Sequence, residues 1–145
     1  MLRLGQEDFT CGRSRYLDFL EGAAEPTAKI FVKVSLEDAE SGFWAQIDTG
    51  SAWSVLDPLF ARRLGYLDLD GEPIRLDTRL GRKSGALVRL PIRFLADDGV
   101  PFDTEGTFFI CSDWPSGRTF LGYSGLLDAM RFALDPQANH FYFGP

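Results

Sequence analysis

The sequence contains little cysteine and histidine, which limits the chemistry available to the chain. Two Cys and one His among 145 residues leave few ligands for a metal ion and few bases for a nucleophile. Cys11 and Cys111 lie far apart in the sequence, so we expect two free thiols rather than a redox pair or a disulfide. His140 falls in a terminal strand pattern, where a surface position is expected. The sequence therefore predicts no metal and no other cofactor.

Positive charge and long apolar runs are also scarce. Fifteen Lys and Arg against 21 Asp and Glu give a formal net charge of −6, which argues against a nucleic-acid partner. No apolar run approaches the length of a membrane span, and residues 1–8 lack the apolar core of a signal peptide. We therefore expect a cytoplasmic protein without a nucleic-acid or membrane partner.

Apolar residues, 13 Phe among them, are abundant enough for one domain with a core. Their alternation or clustering predicts strands at residues 29–36, 43–47, 86–95, 107–111, 132–134 and 141–143. Asp57 as N-cap, Pro58 at the first helical position and Gly65 at the end predict a short helix. The predicted fold class is mostly β, a closed structure with one or two short helices.

The most informative motif is Asp-Thr-Gly at residues 48–50. It follows the predicted strand at 43–47, and apolar residues resume at 54–56, so Asp48 is expected in a tight turn between strands. Downstream, the apolar pair and glycine at 120–122 precede Gly-Leu-Leu-Asp at 125–128. An Asp in a turn can simply cap its own loop, but the two motifs in this order favour a catalytic carboxylate.

At these motifs the sequence resembles the retropepsin-like aspartic proteases, in particular their small bacterial single-lobe members. The resemblance implies a closed retropepsin-like β-barrel over residues 27–145, preceded by an N-terminal extension or arm over residues 1–26. It also implies that Asp48 is the catalytic aspartate, that Thr49 hydrogen-bonds across a dimer, and that Gly50 admits the substrate backbone. Ser51 is expected to hydrogen-bond the aspartate. Viral members carry an acid and an Arg where this chain has Ala52 and Tyr123.

The chain has a single Asp-Thr-Gly, because the triplets that begin at Asp77 and Asp103 lack the glycine. The chemistry of the resembled family needs two carboxylates that share one proton, so the expected partner is a second copy of the chain, related by a two-fold axis. The expected activity is that of an aspartic endopeptidase that hydrolyses an extended peptide or protein substrate with an activated water. The expected subunit contact lies at the chain ends, at residues 141–143 and the N-terminal arm.

In the resembled family a β-hairpin flap covers the cleft, and its place here is at residues 74–90. The candidate substrate-binding residues are Trp53, Gly81, Arg82, Lys83, Ser84 and Trp114. Arg82 and Lys83 suggest a preference for acidic or C-terminal peptide segments, although basic residues on an edge hairpin are equally typical of a solvated face. Trp53 and Trp114 are equally typical of pocket walls and of ordinary packing.

A second hypothesis keeps the fold without the enzyme. In that case the chain is a catalytically silent dimeric peptide-binding or scaffolding module. Its two aspartates would be too far apart, or too well paired with other groups, to activate a water. Cleavage assays on wild-type and Asp48 variants separate the two hypotheses.

Overall fold

The computed structural model describes residues 1–21, 29–37, 39 and 41–145 of the chain. The strands in these residues are β1 (Arg3–Leu4), β2 (Glu7–Asp8), β3 (Gly12–Arg15), β4 (Phe31–Leu36), β5 (Phe43–Ile47), β6 (Ser54–Val55), β7 (Glu72–Thr78), β8 (Gly81–Phe94), β9 (Asp98–Gly99), β10 (Phe102–Ile110), β11 (Phe120–Leu121), β12 (Arg131–Asp135) and β13 (His140–Gly144). Helical structure in the same residues is limited to the helix α1 (Pro58–Arg63) and two 3₁₀ turns, Tyr66–Asp68 and Leu127–Ala129.

The largest sheet closes on itself. Its strands follow the order β10, β6, β11, β5, β4 and β8, and β8 pairs again with β10. The long β8–β10 ladder, from Ala86 opposite Ile110 to Phe94 opposite Phe102, completes the ring. A closed ring leaves few unpaired backbone edges, and most of its pairs are antiparallel. The mostly β, closed fold class that the sequence predicts is thereby confirmed.

The core lies inside this ring and follows the predicted alternation. On β8, Val88, Leu90, Ile92 and Phe94 are buried, whereas the residues between them are exposed. The ring of Phe94 lies 6.0 Å from that of Phe141 and 5.8 Å from that of Phe143, a spacing typical of interacting aromatic side chains. Burial of each such side chain stabilises the fold by about 1.5–3 kcal/mol.

The predicted helix is also present. The Asp57 carboxylate accepts a hydrogen bond from the backbone N–H of Leu59 at 3.0 Å, which caps the first turn. Pro58 occupies the first helical position, where its missing N–H has no cost. Gly65 adopts a left-handed φ of 74° just beyond the helix, as a glycine can without strain.

A second sheet joins the two ends of the chain. Its strand order is β12, β13, β3 and β9, so β13 has a partner on each side within its own chain. Phe141 and Phe143 of β13 are fully buried in that chain's core. The N-terminal segment, residues 1–26, was expected to be an extension or arm, and it contributes the inner strand β3 to this sheet. The expected boundary between residues 26 and 27 lies outside the described residues.

A hairpin projects from the ring where β8 extends beyond β10. Residues 81–85 of β8 pair only with β7, through a two-residue turn between Thr78 and Gly81. Gly81 has a φ of 91°, which requires a glycine at this turn. This hairpin, made of Glu72–Thr78 and residues 81–85, is called the arm from here on and is distinct from the N-terminal segment. The range expected for a flap, residues 74–90, overlaps this hairpin.

Candidate active site

Asp48 directly follows the last residue of β5, one of the strands of the closed ring. β5 lies between antiparallel β4 and parallel β11, which pairs Leu121 with Ile47. The Asp48 backbone N–H donates to the Leu121 carbonyl oxygen at 2.9 Å and extends this parallel pairing by one residue. Asp48 itself is half-buried, and Thr49 and Gly50 after it are exposed. The carboxylate therefore sits on a rigid strand end beside an accessible turn.

The turn after Asp48 is held by its own backbone. The Gly50 N–H donates to the Asp48 Oδ1 at 3.2 Å, and the Ser51 N–H donates to the Asp48 carbonyl oxygen at 3.1 Å. The Ser51 hydroxyl donates to the Trp53 carbonyl oxygen at 2.7 Å. The expectation that this hydroxyl bonds the aspartate is therefore wrong, because the turn directs it forward along the chain. A backbone N–H, that of Gly50, contacts the carboxylate instead.

The two sequence motifs meet in this region. Gly122 lies directly against the chain at Trp53, and its N–H donates to the Ser54 Oγ at 2.9 Å. A Cβ at Gly122 would lie 2.3 Å from the Trp53 carbonyl carbon, so only glycine fits. The next two N–H groups, of Tyr123 and Ser124, donate to carbonyl oxygens of the Asp48 loop at 2.9 and 2.8 Å. The downstream motif thus braces the Asp-Thr-Gly turn through its backbone.

Two charged residues that were not among the predicted site residues hold the loop after Gly122. The Arg89 guanidinium donates to the Gly125 carbonyl oxygen at 3.0 Å and to the Thr107 hydroxyl at 2.9 Å. The Asp128 carboxylate accepts from the Gly125 N–H at 2.9 Å. The acidic end of Gly-Leu-Leu-Asp is the sequence signal for the second contact, since Asp commonly accepts a nearby backbone N–H in a turn. No local pattern indicates Arg89, which reaches this loop from another strand.

An apolar cluster rich in aromatic residues lies beside the Asp-Thr-Gly turn. Val55, Phe109 and Cys111 are buried at its centre. The partly buried apolar residues packed against them are Trp53, Ile74, Leu76, Leu87, Trp114 and Phe120. Trp53 follows the Asp-Thr-Gly turn, and Trp114 meets the Phe109 ring edge-on at 6.0 Å. The structure thus brings the two predicted Trp residues to one cluster, together with the base of the arm.

The arm carries its predicted binding residues on two different faces. Side chains alternate along a strand, so Arg82 and Lys83 point in opposite directions. Arg82 is exposed on the outer face and pairs with Asp77 at 2.9 Å. Lys83 lies on the inner face, and its Nζ contacts the Asp113 carboxylate at 3.2 Å and the Asp113 carbonyl oxygen at 3.1 Å. Gly81 lies at the turn, and Ser84 is exposed.

Asp113 also accepts a hydrogen bond from the Cys111 thiol at 2.8 Å. Burial, followed by this hydrogen bond, raises the pKa of the Cys111 thiol. The hydrogen bonds from Cys111 and from Lys83 hold the pKa of the Asp113 carboxyl below its usual range. The thiol is therefore kept neutral and unreactive, and the carboxylate is kept charged. Both Cys11 and Cys111 are free thiols, as expected.

The loop that carries Trp114 is anchored by the helix cap. Besides its bond to the helix, the Asp57 carboxylate accepts from the Gly117 N–H at 3.0 Å. The Asp57 N–H donates to the buried Thr119 hydroxyl at 3.1 Å. One residue thus fixes the start of α1, the end of the Trp114 loop and the entry to β11.

Two surface cavities lie away from the Asp-Thr-Gly turn. One of about 210 Å³ is bounded by the 3₁₀ turn after α1, by Ser84 at the base of the arm and by Cys111. The other, of about 520 Å³, lies over β4, β8 and β10 beside the Arg93–Asp103 ion pair.

Within the described part of the chain, no group of acidic, His and Cys side chains is arranged to hold a metal ion. In the same residues no helix is long and apolar enough to cross a membrane.

Comparison with known proteins defines the class of fold. No protein-family model matches the sequence. No curated protein sequence matches it either. A retropepsin-like aspartic protease from Rickettsia conorii shares the structure with a TM-score of 0.59 at 17% identity, over 92% of this chain and 91% of that one. The retroviral protease-like domain of Ddi1 from Leishmania major matches with a TM-score of 0.50 at 19% identity, over 81% of this chain and 94% of that one.

The chain therefore has the retropepsin-like fold that its motifs indicate. Identities of 17% and 19% establish this likeness at the level of the fold. The chemistry of such a fold depends on the residues at its site.

Proposed function

We propose that the protein is an aspartic endopeptidase that is active as a homodimer, with one catalytic Asp48 from each chain. The observation that carries this proposal is the position of Asp48 at the end of β5, with the Leu121–Gly122 backbone alongside. The retropepsin-like fold supports the same conclusion, because this is the turn at which such a fold presents an Asp-Thr-Gly aspartate.

The other candidate aspartates of the chain are engaged elsewhere, which supports a second copy as the source of the second carboxylate. Asp103 forms two hydrogen bonds to the Arg93 guanidinium, at 2.6 and 2.8 Å, on the outside of the ring. Asp77 is bound to Arg82 on the outer face of the arm. A two-fold axis would place equivalent residues face to face, Asp48 against Asp48 of the partner subunit.

The proposed mechanism uses the two carboxylates as an acid and a base. Like charges a few ångströms apart repel, so the pair holds one proton between them. The ionised carboxylate takes a proton from a water, whose oxygen attacks the scissile carbonyl carbon, while the protonated carboxylate donates to the carbonyl oxygen. Proton transfer to the leaving nitrogen then breaks the C–N bond. The Gly50 N–H on the Asp48 Oδ1 helps to fix the orientation of the carboxylate.

The proposed substrate is an extended peptide bound between the Asp48 turns and the arms. The outer edge of β7 is the free edge of its sheet in the described residues, and the arm carries glycines at its turn and at Gly85. The inner face of the arm and the two Trp residues form an apolar wall suited to large side chains. Gly81, Arg82, Lys83 and Ser84 are the proposed contacts of the arm with the substrate.

The two free thiols suit the cytoplasm, where we expect the protein to act.

The test is digestion of a complex peptide mixture between about pH 3.5 and 7, with new termini identified by mass spectrometry. Wild type is compared with Asp48→Asn, which keeps the size of the side chain and removes the carboxylate. Asp70→Asn is the matched control, because Asp70 is exposed and lies outside the site. Cleavage should be present in wild type and the control, and absent in Asp48→Asn.

Cleavage that persists in Asp48→Asn contradicts the proposal. The absence of cleavage by a dimeric wild-type protein favours the catalytically silent peptide-binding module instead. In that case, direct binding of extended peptides to the dimer becomes the measurement that defines its function.

A further inference from the structure

Arg118 contacts the face of β5 from which the Asp48 carboxylate projects. The half-buried Arg118 donates from Nη1 to the Gln46 Oε1 at 3.2 Å, and its guanidinium lies 5.5 Å from the centre of the Phe31 ring. Gln46 and Asp48 share one face of the strand, because alternate side chains point to the same side. Ala45, on the opposite face, is buried in the core. The guanidinium therefore lies outside the core, and Gln46 is about 7 Å along the strand from Asp48.

The backbone on both sides of Arg118 is fixed by Asp57. The Asp57 carboxylate accepts from the Gly117 N–H at 3.0 Å, and the Asp57 N–H donates to the Thr119 hydroxyl at 3.1 Å. The Thr119 carbonyl oxygen accepts from the Gln46 N–H at 2.9 Å, which holds the loop against β5. These bonds give the Arg118 side chain a defined origin, and none of them depends on its guanidinium.

The charge of Arg118 has no acidic partner in the part of the chain that the structure describes. A guanidinium has five N–H donors, of which one hydrogen bond uses one and a cation–π contact uses none. The basic residues of the arm differ in this respect. Lys83 is paired with Asp113 at 3.2 Å, and Arg82 is paired with Asp77 at 2.9 Å. Of these three cations, Arg118 is the one whose charge is left for a ligand.

We propose that Arg118 binds a carboxylate of the substrate and sets a preference for Asp or Glu near the cleaved bond. A guanidinium can donate two parallel hydrogen bonds to one carboxylate, which makes it selective for that group. The spacing of about 7 Å between Gln46 and Asp48 corresponds to two residues of an extended peptide, so the acidic residue lies within about two positions of the cleaved bond. The inference rests on the proposed function, since it takes Asp48 as the point of cleavage.

The test uses libraries of extended peptides with blocked ends, in which one position is fixed as Glu or as the isosteric Gln. For wild type, relative kcat/KM should be at least about tenfold higher with Glu at a position near the cleaved bond. Arg118→Met should reduce this ratio to about one, while cleavage of the Gln peptides changes less than about threefold. Arg63→Met, exposed at the end of α1, is the matched control and should keep the wild-type ratio.

Charge reversal separates direct recognition from a structural role of Arg118. Arg118→Glu should favour Lys over Glu at the same position, a reversal that a displaced loop does not produce. Arg118→Lys should retain part of the Glu preference, because it keeps the charge without the two parallel donors. Circular dichroism checks that each variant is folded.

The carboxylate at the end of a peptide offers the same chemistry as an acidic side chain. Gln peptides with a free carboxyl end are therefore compared with the blocked ones. A preference that appears only with the free end would overturn the preference for an acidic side chain.

Peptide binding to Asp48→Asn separates this inference from the proposed function, because this variant should hold peptides without cleaving them. Glu peptides should bind at least about tenfold more tightly than Gln peptides, and a further Arg118→Met should remove the difference. Cleavage that depends on Asp48, with no distinction between Glu and Gln in either assay, overturns the inference and leaves the function standing. Binding of Glu peptides that depends on Arg118, without cleavage by wild type, supports the inference and contradicts the function. If no peptide is bound or cleaved, both are wrong.

Discussion

Two glycines at the candidate site, Gly122 and Gly50, are required for different reasons. Gly122 packs against backbone atoms of Trp53, so the fold itself excludes a side chain there. Gly50 is exposed, and the nearest atom to a Cβ built on it is the Asp48 Oδ1 at an ordinary 3.5 Å. The chain alone therefore tolerates a methyl group at residue 50, and any need for glycine there comes from the substrate.

We expect Gly122→Ala to lower the free energy of unfolding by about 2 kcal/mol or more, because the surrounding backbone must shift. Gly50→Ala should change it by less than about 0.5 kcal/mol. Peptide cleavage by Gly50→Ala should nevertheless fall at least about tenfold, since the methyl group displaces the substrate backbone. Denaturant unfolding and cleavage rates measure the two effects. A stable, fully active Gly50→Ala protein would contradict the role of this residue in substrate approach.

At the residue scale, the sequence predicted local features and missed those that depend on distant pairing. The Asp-Thr-Gly turn and the Asp57 cap follow from short-range patterns, whereas the close packing that requires glycine at residue 122 is seen only in the structure. The Ser51 hydroxyl was predicted wrongly because the direction of a hydroxyl depends on the path of the turn. Arg89 was missed because its partner Gly125 is brought near only by the fold. Side-chain contacts across strands require the register, which the sequence does not state.

At the element scale, most strands and the helix could be predicted, but the shortest strands could not. β9 and β11 have two residues each, too few to show a periodicity, and β6, equally short, was indicated only by the apolar residues that follow the Asp-Thr-Gly turn. The N-terminal strand β3 contains Gly and Ser, residues with low β-propensity, and it is stabilised by its neighbours β13 and β9 rather than by its composition. The position of the arm was predictable, whereas the split of its basic residues between two faces required the strand register.

The arm is held to the body by its inner apolar side chains and by Lys83. The bonds from the Lys83 Nζ to Asp113 join the inner face of the arm to the loop beyond β10. Among the described residues, its neighbour Arg82 bonds only Asp77, which lies in the arm itself. Lys83 therefore links the arm to the rest of the chain, and Arg82 serves as a control charge that does not.

We expect Lys83→Met to increase the rate of amide exchange in residues 81–85 about two- to fivefold at neutral pH, because the arm opens more often. Arg82→Met, the control, should leave the opening of the arm unchanged. The lowered pKa of Asp113 fixes the sign of the pH dependence: the contact is present above the usual range of Asp and is lost as the pH falls through the lowered pKa. Wild type and Lys83→Met should therefore converge in strong acid.

At the scale of the whole molecule, the chain supplies a complete fold but half of the proposed catalytic pair. A closed ring and a second sheet enclose the core of one chain, and Phe141 and Phe143 lie inside that core. Deletion of the last five residues would therefore unfold the chain rather than separate two chains. Subunit stoichiometry is better tested with variants that keep every strand in place.

Mixing wild type with Asp48→Asn tests whether two aspartates act together. If subunits exchange freely and both carboxylates are required, only wild-type homodimers cleave, so the rate follows the square of the wild-type fraction. An equal mixture should retain about one quarter of the activity, against about one half if each chain acts alone. Initial cleavage rates are measured across mixing ratios at constant total protein, after the chains have been unfolded and refolded together so that subunits exchange, with Asp70→Asn replacing Asp48→Asn as the control for losses caused by mixing alone. A linear decline would show that one Asp48 suffices, and the proposed shared-proton mechanism would then be wrong.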